Sequence, residues 1–184
     1  MPSLVSFLGG TGCRISEALA VKVGDVSQIP RAQVAIRRAI TTNESGREVI
    51  GALLKSEAAV RTNALPDWLL SLLLDHISTL GLQAESFLFP APAGALLPTR
   101  RFRARFWQPA CAQAGVSVTP HDLRHLHASL LFEARRPLTE IAARLGHSSP
   151  AITMAIYAHW LADDDSGSAR AIPEIKASGH AGWR

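Results

Sequence analysis

The chain has 184 residues, 47% hydrophobic and 18% charged, which is enough for one domain with a real apolar core. Its 19 basic and 15 acidic residues leave a net charge of +4, which is consistent with a polyanionic partner without establishing one. The longest apolar stretch, Trp68 to Leu74, is broken by Ser71 and followed by Asp75 and His76. No segment therefore approaches the roughly 20 apolar residues a spanning helix requires, and no membrane role is expected.

Met1 leads into no basic segment, so no signal peptide is read. Cys13 and Cys111 are few and far apart and read as reduced thiols, which points to a cytoplasmic compartment. Met1 to Gly10 reads as the end of a helix, and helical spacing continues through Ile15, Leu19 and Val21 until Gly24-Asp25 breaks it. Three short extended runs follow, Gln33–Ala39, Val49–Leu54 and Arg61–Leu65, with a turn at Asn43–Gly46. They predict a small three-stranded antiparallel sheet.

Beyond Pro66 the pattern is helical. Asp67–Leu80 carries a wide Leu stripe, and Ala91–Pro98 is a loop. Thr99–Ala114 is amphipathic, holds Arg100, Arg101, Arg103 and Arg105, and is closed by Gly115. Thr119–Ala134 opens on a cap: Thr119, Pro120 at the first helical position, and Asp122 three residues after the cap. Pro137–Leu145 is a short helix ended by Gly146, and Ser149-Pro150 opens another that runs through Tyr157. Asp163–Arg184 is polar, lacks periodicity and is expected to fray. The expected fold is α+β, mostly helical with the small sheet to one side.

The informative residues lie between His121 and Tyr157. Residues three apart on a helix share a face, so His121 and Arg124 point the same way, with Leu123, Leu126 and Leu130 roughly opposite, toward a core. A His and an Arg at a capped helix start suit an anionic ligand. In Leu145-Gly146-His147-Ser148-Ser149-Pro150, one helix ends on Gly, a His occupies the turn, and a new helix begins. Tyr157, the only Tyr of the chain, follows ten residues after His147. Two further cations, Arg14 and Lys55, lie far upstream. Taken singly, each residue has a structural reading: a half-buried Tyr, a solvated helix Arg, a hairpin Lys. His127 falls nearer the apolar side and reads as a partly buried, satisfied His, while His125 shares the face of His121. The arginines of 100–105 are either a solvated face or a surface that tracks phosphates.

His121-Asp122-Leu123-Arg124-His125 is similar to a zinc-protease His-Glu-x-x-His helix. Asp122 is a methylene short for the base position, Arg124 would place a cation beside the metal, and no third ligand follows at a known spacing. No metal is expected.

Together these residues resemble the tyrosine recombinase (phage integrase) family, over nearly the whole chain. Thr11 to Val26 looks like the family's first box, with Arg14 after Thr11-Gly12 and Ile15-Ser16-Glu17 following. Leu54-Lys55-Ser56, then Arg61-Thr62 and Leu65-Pro66, is similar to its Lys-bearing hairpin. Pro120-His121-Asp122-Leu123-Arg124-His125 looks like the second box, and Leu145-Gly146-His147-Ser148-Ser149 with Tyr157-Ala158-His159 resembles the end of that box and the nucleophile segment.

The resemblance implies a catalytic domain over residues 1–162 and a tail at 163–184 that docks on a neighbouring protomer. It implies that Tyr157 is the nucleophile, that Arg14, Arg124 and His147 bind the phosphate oxygens, that His121 is the general base and Lys55 the general acid, and that Glu17 orients the site. No cofactor is expected. The implied partner is double-stranded DNA, bound as a tetramer, with a monomer in its absence and a nucleoid-associated place in the cell. Family members carry an N-terminal helical domain that completes a clamp around DNA. This chain shows only the catalytic half, so it is expected to bind DNA weakly alone. A non-catalytic DNA-binding remnant is the alternative.

Overall fold

The computed structural model describes residues 2–51, 59–147, 149, 151 and 154. Lys55, Tyr157, residues 52–54 of the expected second strand and the tail 163–184 lie outside these described residues.

The core is built on α1 (Pro2–Thr11), whose Leu4, Phe7, Leu8 and Thr11 are buried at i, i+3, i+4 and i+7 spacing. A short α2 (Ile15–Ala18) follows. Among the described residues the strands are β1 (Val26–Ser27), β2 (Gln33–Ile36), β3 (Ile40–Thr42), β4 (Glu48–Ile50) and β5 (Arg61–Ala64). β1, β2 and β5 form a three-stranded antiparallel sheet in that order, with Val34 opposite both Val26 and Asn63 and Ile36 opposite Arg61. Val34 and Ile36 alternate onto its core face and are fully buried.

The sheet has the expected number of strands but not the expected members. Residues 48–50 pair with 40–42 as a separate hairpin, and the third strand of the sheet is Val26–Ser27. The cause is local. Gly24-Asp25 does not end the folded run but forms a 3₁₀ turn, Val23–Asp25, that delivers the chain straight into β1. The run from Gln33 stops at Ile36, and the Asn43–Gly46 turn then closes its own two-stranded ribbon.

α3 (Asp67–Leu80) packs on α1 through the buried Leu69 and Leu73 and ends on a left-handed Gly81. The helix expected from Thr99 to Ala114 is present as α4 (Thr99–Phe102), a π turn (Arg103–Trp107) and α5 (Gln108–Ala114). The Gln108 N–H reaches back five residues to the Arg103 carbonyl, and Pro109, next in the chain, has no N–H to donate. Phe102 and the ring of Trp107 anchor this stretch in the core, and Trp107 Nε1 donates to the Val118 carbonyl at 2.8 Å. The carboxylate of Glu48 accepts from the Thr99 hydroxyl and from the Arg100 N–H, tying the β3–β4 ribbon to the start of α4.

α6 (Pro120–Glu133) begins where the sequence predicts, with the Asp122 carboxylate accepting from the Thr119 N–H at 2.6 Å and from its hydroxyl at 2.9 Å. α7 (Leu138–Leu145) ends on left-handed Gly146. Ala128, Ile141 and Leu145 make a second small core with Leu131, Phe132 and Leu138 packed against it.

The orientation expected for α6 is corrected. Its buried face carries Pro120, Arg124, His127 and Ala128, whereas Leu126 and Leu130 are 51% and 53% exposed. Leu123 is partly buried against the main core. The helix packs on the glycine-rich end of α1, where backbone carbonyls are left without helical partners. Arg124 and His127 supply the donors those carbonyls need, which a leucine face could not.

Candidate active site

The site starts at the C-terminal end of α1. Gly12 takes a left-handed φ of 68°, and a Cβ there would lie 2.6 Å from His127 Cδ2 and 2.9 Å from Leu145 Cδ2. Only glycine lets α6 and α7 close this tightly on the turn. The turn delivers Arg14 to the N-cap of α2, with Glu17 one turn on. The Glu17 carboxylate accepts from the Arg14 N–H at 2.9 Å and from Arg14 Nη1 at 3.0 Å, which fixes backbone and side chain together.

Arg61, from β5, completes the surroundings of Glu17. Its Nη2 and Nη1 donate to the two carboxylate oxygens at 2.7 and 3.3 Å. Both side chains are buried, 6% and 2% exposed. Burial alone would raise the Glu17 carboxyl, but the hydrogen bonds and charge of Arg61, with those of Arg14, outweigh it and hold the group below the usual carboxylate range. The same Arg61 donates through Nε to the Arg144 carbonyl at 2.8 Å. Asn63 Nδ2 donates to that carbonyl and to the Thr11 carbonyl, each at 3.0 Å.

Arg124 enters from α6, 3% exposed. Its Nη1 donates to the Gly12 carbonyl at 2.8 Å, and its Nη2 is buried with no hydrogen-bond partner among the described residues. Burial first, and the charge of Arg14 second, push its pKa down to about 10, so it remains charged at neutral pH. His147 follows the Gly146 turn, its N–H donating to the Ala142 carbonyl at 3.0 Å. Its ring is pushed down to about 4, by burial first and then by Arg124, Arg14, Arg61 and His121. His121 is lowered by burial and by His125, Arg124 and Arg14. These fields place Arg14, Arg124, His121 and His147 in one neighbourhood, with both imidazoles neutral at neutral pH.

His121 and His125 meet edge to face, ring centroids 4.8 Å apart. No group of three or more metal-ligating residues occurs among the described residues. His127 is the satisfied buried histidine the sequence suggests: Nδ1 bonds the Gly9 carbonyl at 2.8 Å and Nε2 accepts from Arg144 Nε at 2.9 Å. Arg100, Arg101, Arg103 and Arg105 are all exposed on α4 and its π turn.

The structure thus gathers five of the seven predicted residues, Arg14, Glu17, His121, Arg124 and His147. Lys55 and Tyr157 lie outside the described residues. The sequence alone gives Arg61 a place in the Lys-bearing hairpin motif but no role in the site, and gives none to Asn63 or Arg144. Arg61 and Glu17 are 44 residues apart in sequence, and nothing local to either signals the pair.

The model of the phage integrase family matches residues 2–163. Tyrosine recombinase XerD of Corynebacterium glutamicum is 31% identical over 163 residues, 88% of this chain and 48% of the relative. Tyrosine recombinase XerH of Campylobacter jejuni is 28% identical over 171 residues, 91% of this chain and 43% of the relative. The chain spans less than half the length of either. Among solved structures, the Tn1549 transposon integrase in complex with circular intermediate DNA aligns with a TM-score of 0.75 at 21% identity, covering 91% of this chain and 57% of that one. The XerA recombinase aligns with a TM-score of 0.64 at 24% identity, covering 91% and 53%. At these identities the structural likeness speaks for the fold, which is that of a tyrosine recombinase catalytic domain.

Proposed function

The chain belongs to the phage integrase family, the tyrosine recombinases, and on that premise we propose that it cuts and rejoins DNA strands at a specific site through a covalent bond to Tyr157. The observation that carries this reading is the Nη2 of Arg124. A buried charged donor without an acceptor costs about 1–3 kcal/mol or more, and an anionic oxygen placed there relieves that cost. The neighbouring Arg14, with His147 just after the end of α7, supplies the further donors that a phosphodiester with growing negative charge requires.

In the proposed reaction the phenolic oxygen of Tyr157 attacks phosphorus. A bond forms between them, the bond to the 5′ oxygen breaks, and a 3′-phosphotyrosine remains. The phenol proton goes to His121, which is neutral and so able to accept it, and Lys55 protonates the departing 5′ oxygen. Arg14, Arg124 and His147 hold the non-bridging oxygens, and Glu17 keeps Arg14 in place. Attack by a 5′-hydroxyl of the partner strand reverses the step and restores Tyr157. None of these steps uses a metal or a cofactor.

The active assembly is a tetramer on two duplexes, assembled from monomers by DNA, with residues 163–184 docking between protomers and the arginines of 100–105 following the phosphate backbone. Relatives named as tyrosine recombinases and integrases, and solved neighbours that hold DNA, support the substrate class.

The test is covalent trapping. The chain is incubated with a nicked duplex from DNA flanking its gene, in EDTA, and resolved on a denaturing gel. A slower protein–DNA band that vanishes in Tyr157→Phe is expected. DNA binding that persists without any band, even when an N-terminal clamp domain from a relative is supplied, would favour a non-catalytic DNA-binding role.

A further inference from the structure

On the strand-transfer reading above, we infer that Arg61 is a positioning residue, which locks the phosphate-binding Arg14 and the turn bearing His147 into one rigid unit. The two groups come from opposite ends of the fold. Arg14 caps α2, and His147 follows the end of α7. Nothing in either segment sets their separation, which both must hold to grip one phosphate.

The Arg61 guanidinium spans the gap. One edge holds Glu17 through Nη2 and Nη1, and Glu17 in turn holds the backbone and the guanidinium of Arg14. Nε holds the Arg144 carbonyl, one of the last carbonyls of α7 that helical bonding leaves open. Asn63, two residues along β5, reinforces the grip on that carbonyl and extends it to Thr11. Nη1 also donates to the Ala59 carbonyl at 3.1 Å, so the guanidinium holds the strand's own approach as well. A planar fork of five donors can meet acceptors in three directions, and an ammonium cannot hold the same set at fixed angles. Burial of both partners keeps water from competing for these bonds.

Arg61 touches neither substrate nor the reacting atoms in this scheme, so its loss should slow transfer without weakening DNA binding. Two variants separate this from a general loss of stability. Arg61→Lys keeps the charge and loses the fork. The double variant Arg61→Gln/Glu17→Gln replaces the ion pair with an uncharged pair of similar shape, which avoids stranding a buried charge.

For the whole chain, single-turnover formation of the covalent complex on a nicked duplex is compared with the dissociation constant for the same duplex. Hydrogen exchange in the free protein reads the amides of Ala18 and His147, which donate to the Arg14 and Ala142 carbonyls. Transfer about tenfold to a hundredfold slower, at a dissociation constant within about twofold of wild type, supports the inference. It should come with faster exchange at both amides while the amides of α3 stay protected. Wild-type transfer rates in either folded variant, or unchanged exchange at one of the two amides, overturn it. A wild-type chain that forms no covalent complex counts against the strand-transfer reading instead. The exchange data then decide alone whether Arg61 joins the two ends.

Discussion

The guanidinium of Arg124 reaches across 112 residues of sequence to donate to the carbonyl of Gly12 at 2.8 Å. That bond commits Nη1 to the protein, while Nη2, buried beside it, has no hydrogen-bond partner among the described residues. On the proposed reading, structure and phosphate binding are divided between the two arms of one side chain. On that reading a residue expected on the exposed face of α6 can be almost fully enclosed and still hold a ligand.

Arg124→Lys should remove this division. A lysine has one nitrogen, which can serve Gly12 or a phosphate oxygen at a fixed angle but not both. Covalent complex formation on a nicked duplex is expected to fall by about 10²–10³, the loss typical of one oxyanion donor. A rate within a few-fold of wild type would show that Nη2 is not a phosphate donor.

Gly12→Ala tests the turn. The methyl group must share space with His127 and Leu145 at a positive φ. Strain and overpacking together are expected to cost about 2–5 kcal/mol, measured as a lower urea midpoint. An unchanged midpoint would mean that α6 and α7 do not close on the turn as described.

His127 should make the fold sensitive to mild acid. Its folded value, about 4, lies below the ordinary 6.5, because of burial and then the charge of Arg144. Between those values the unfolded chain binds more protons than the folded one, so stability is full above about 6.5 and falls as the pH drops toward about 4. The full loss is roughly 3 kcal/mol from this group, and His147 adds to it in the same direction. Urea unfolding between about pH 7 and pH 5, a window above most carboxylate titration, should show a shallower slope in His127→Gln than in wild type. Equal slopes would rule out His127 as the origin.

Arg100, Arg101, Arg103 and Arg105 are exposed on a helix whose start is tied to the β3–β4 ribbon by Glu48. If they follow the DNA backbone, each Gln substitution should reduce the slope of log affinity against log salt by about one and weaken binding to all sequences alike. A slope that stays constant through all four substitutions would make this a solvated face.

Features decided by neighbours within a turn of one another can be read before any packing is known. The start of α6 follows from Thr119, Pro120 and Asp122, and the end of α7 from Gly146, because each cap is closed by atoms two to four residues away. The motif residues were legible for the same reason, since His121 and Arg124 are set apart by one helical turn.

Only the tertiary structure decided which face of α6 is buried. Apolar side chains occur all round that helix, so the Leu123, Leu126 and Leu130 face its pattern suggests is not the only one it could bury. The open carbonyls at the glycine-rich end of α1 chose Arg124 and His127 over Leu126 and Leu130. The same holds for Arg61 and Glu17. Their pairing depends on which strand lies beside α2, and strands this short carry too little alternation to fix their partners. It is the fold that brings the two together and shields them from water, which strengthens their bond.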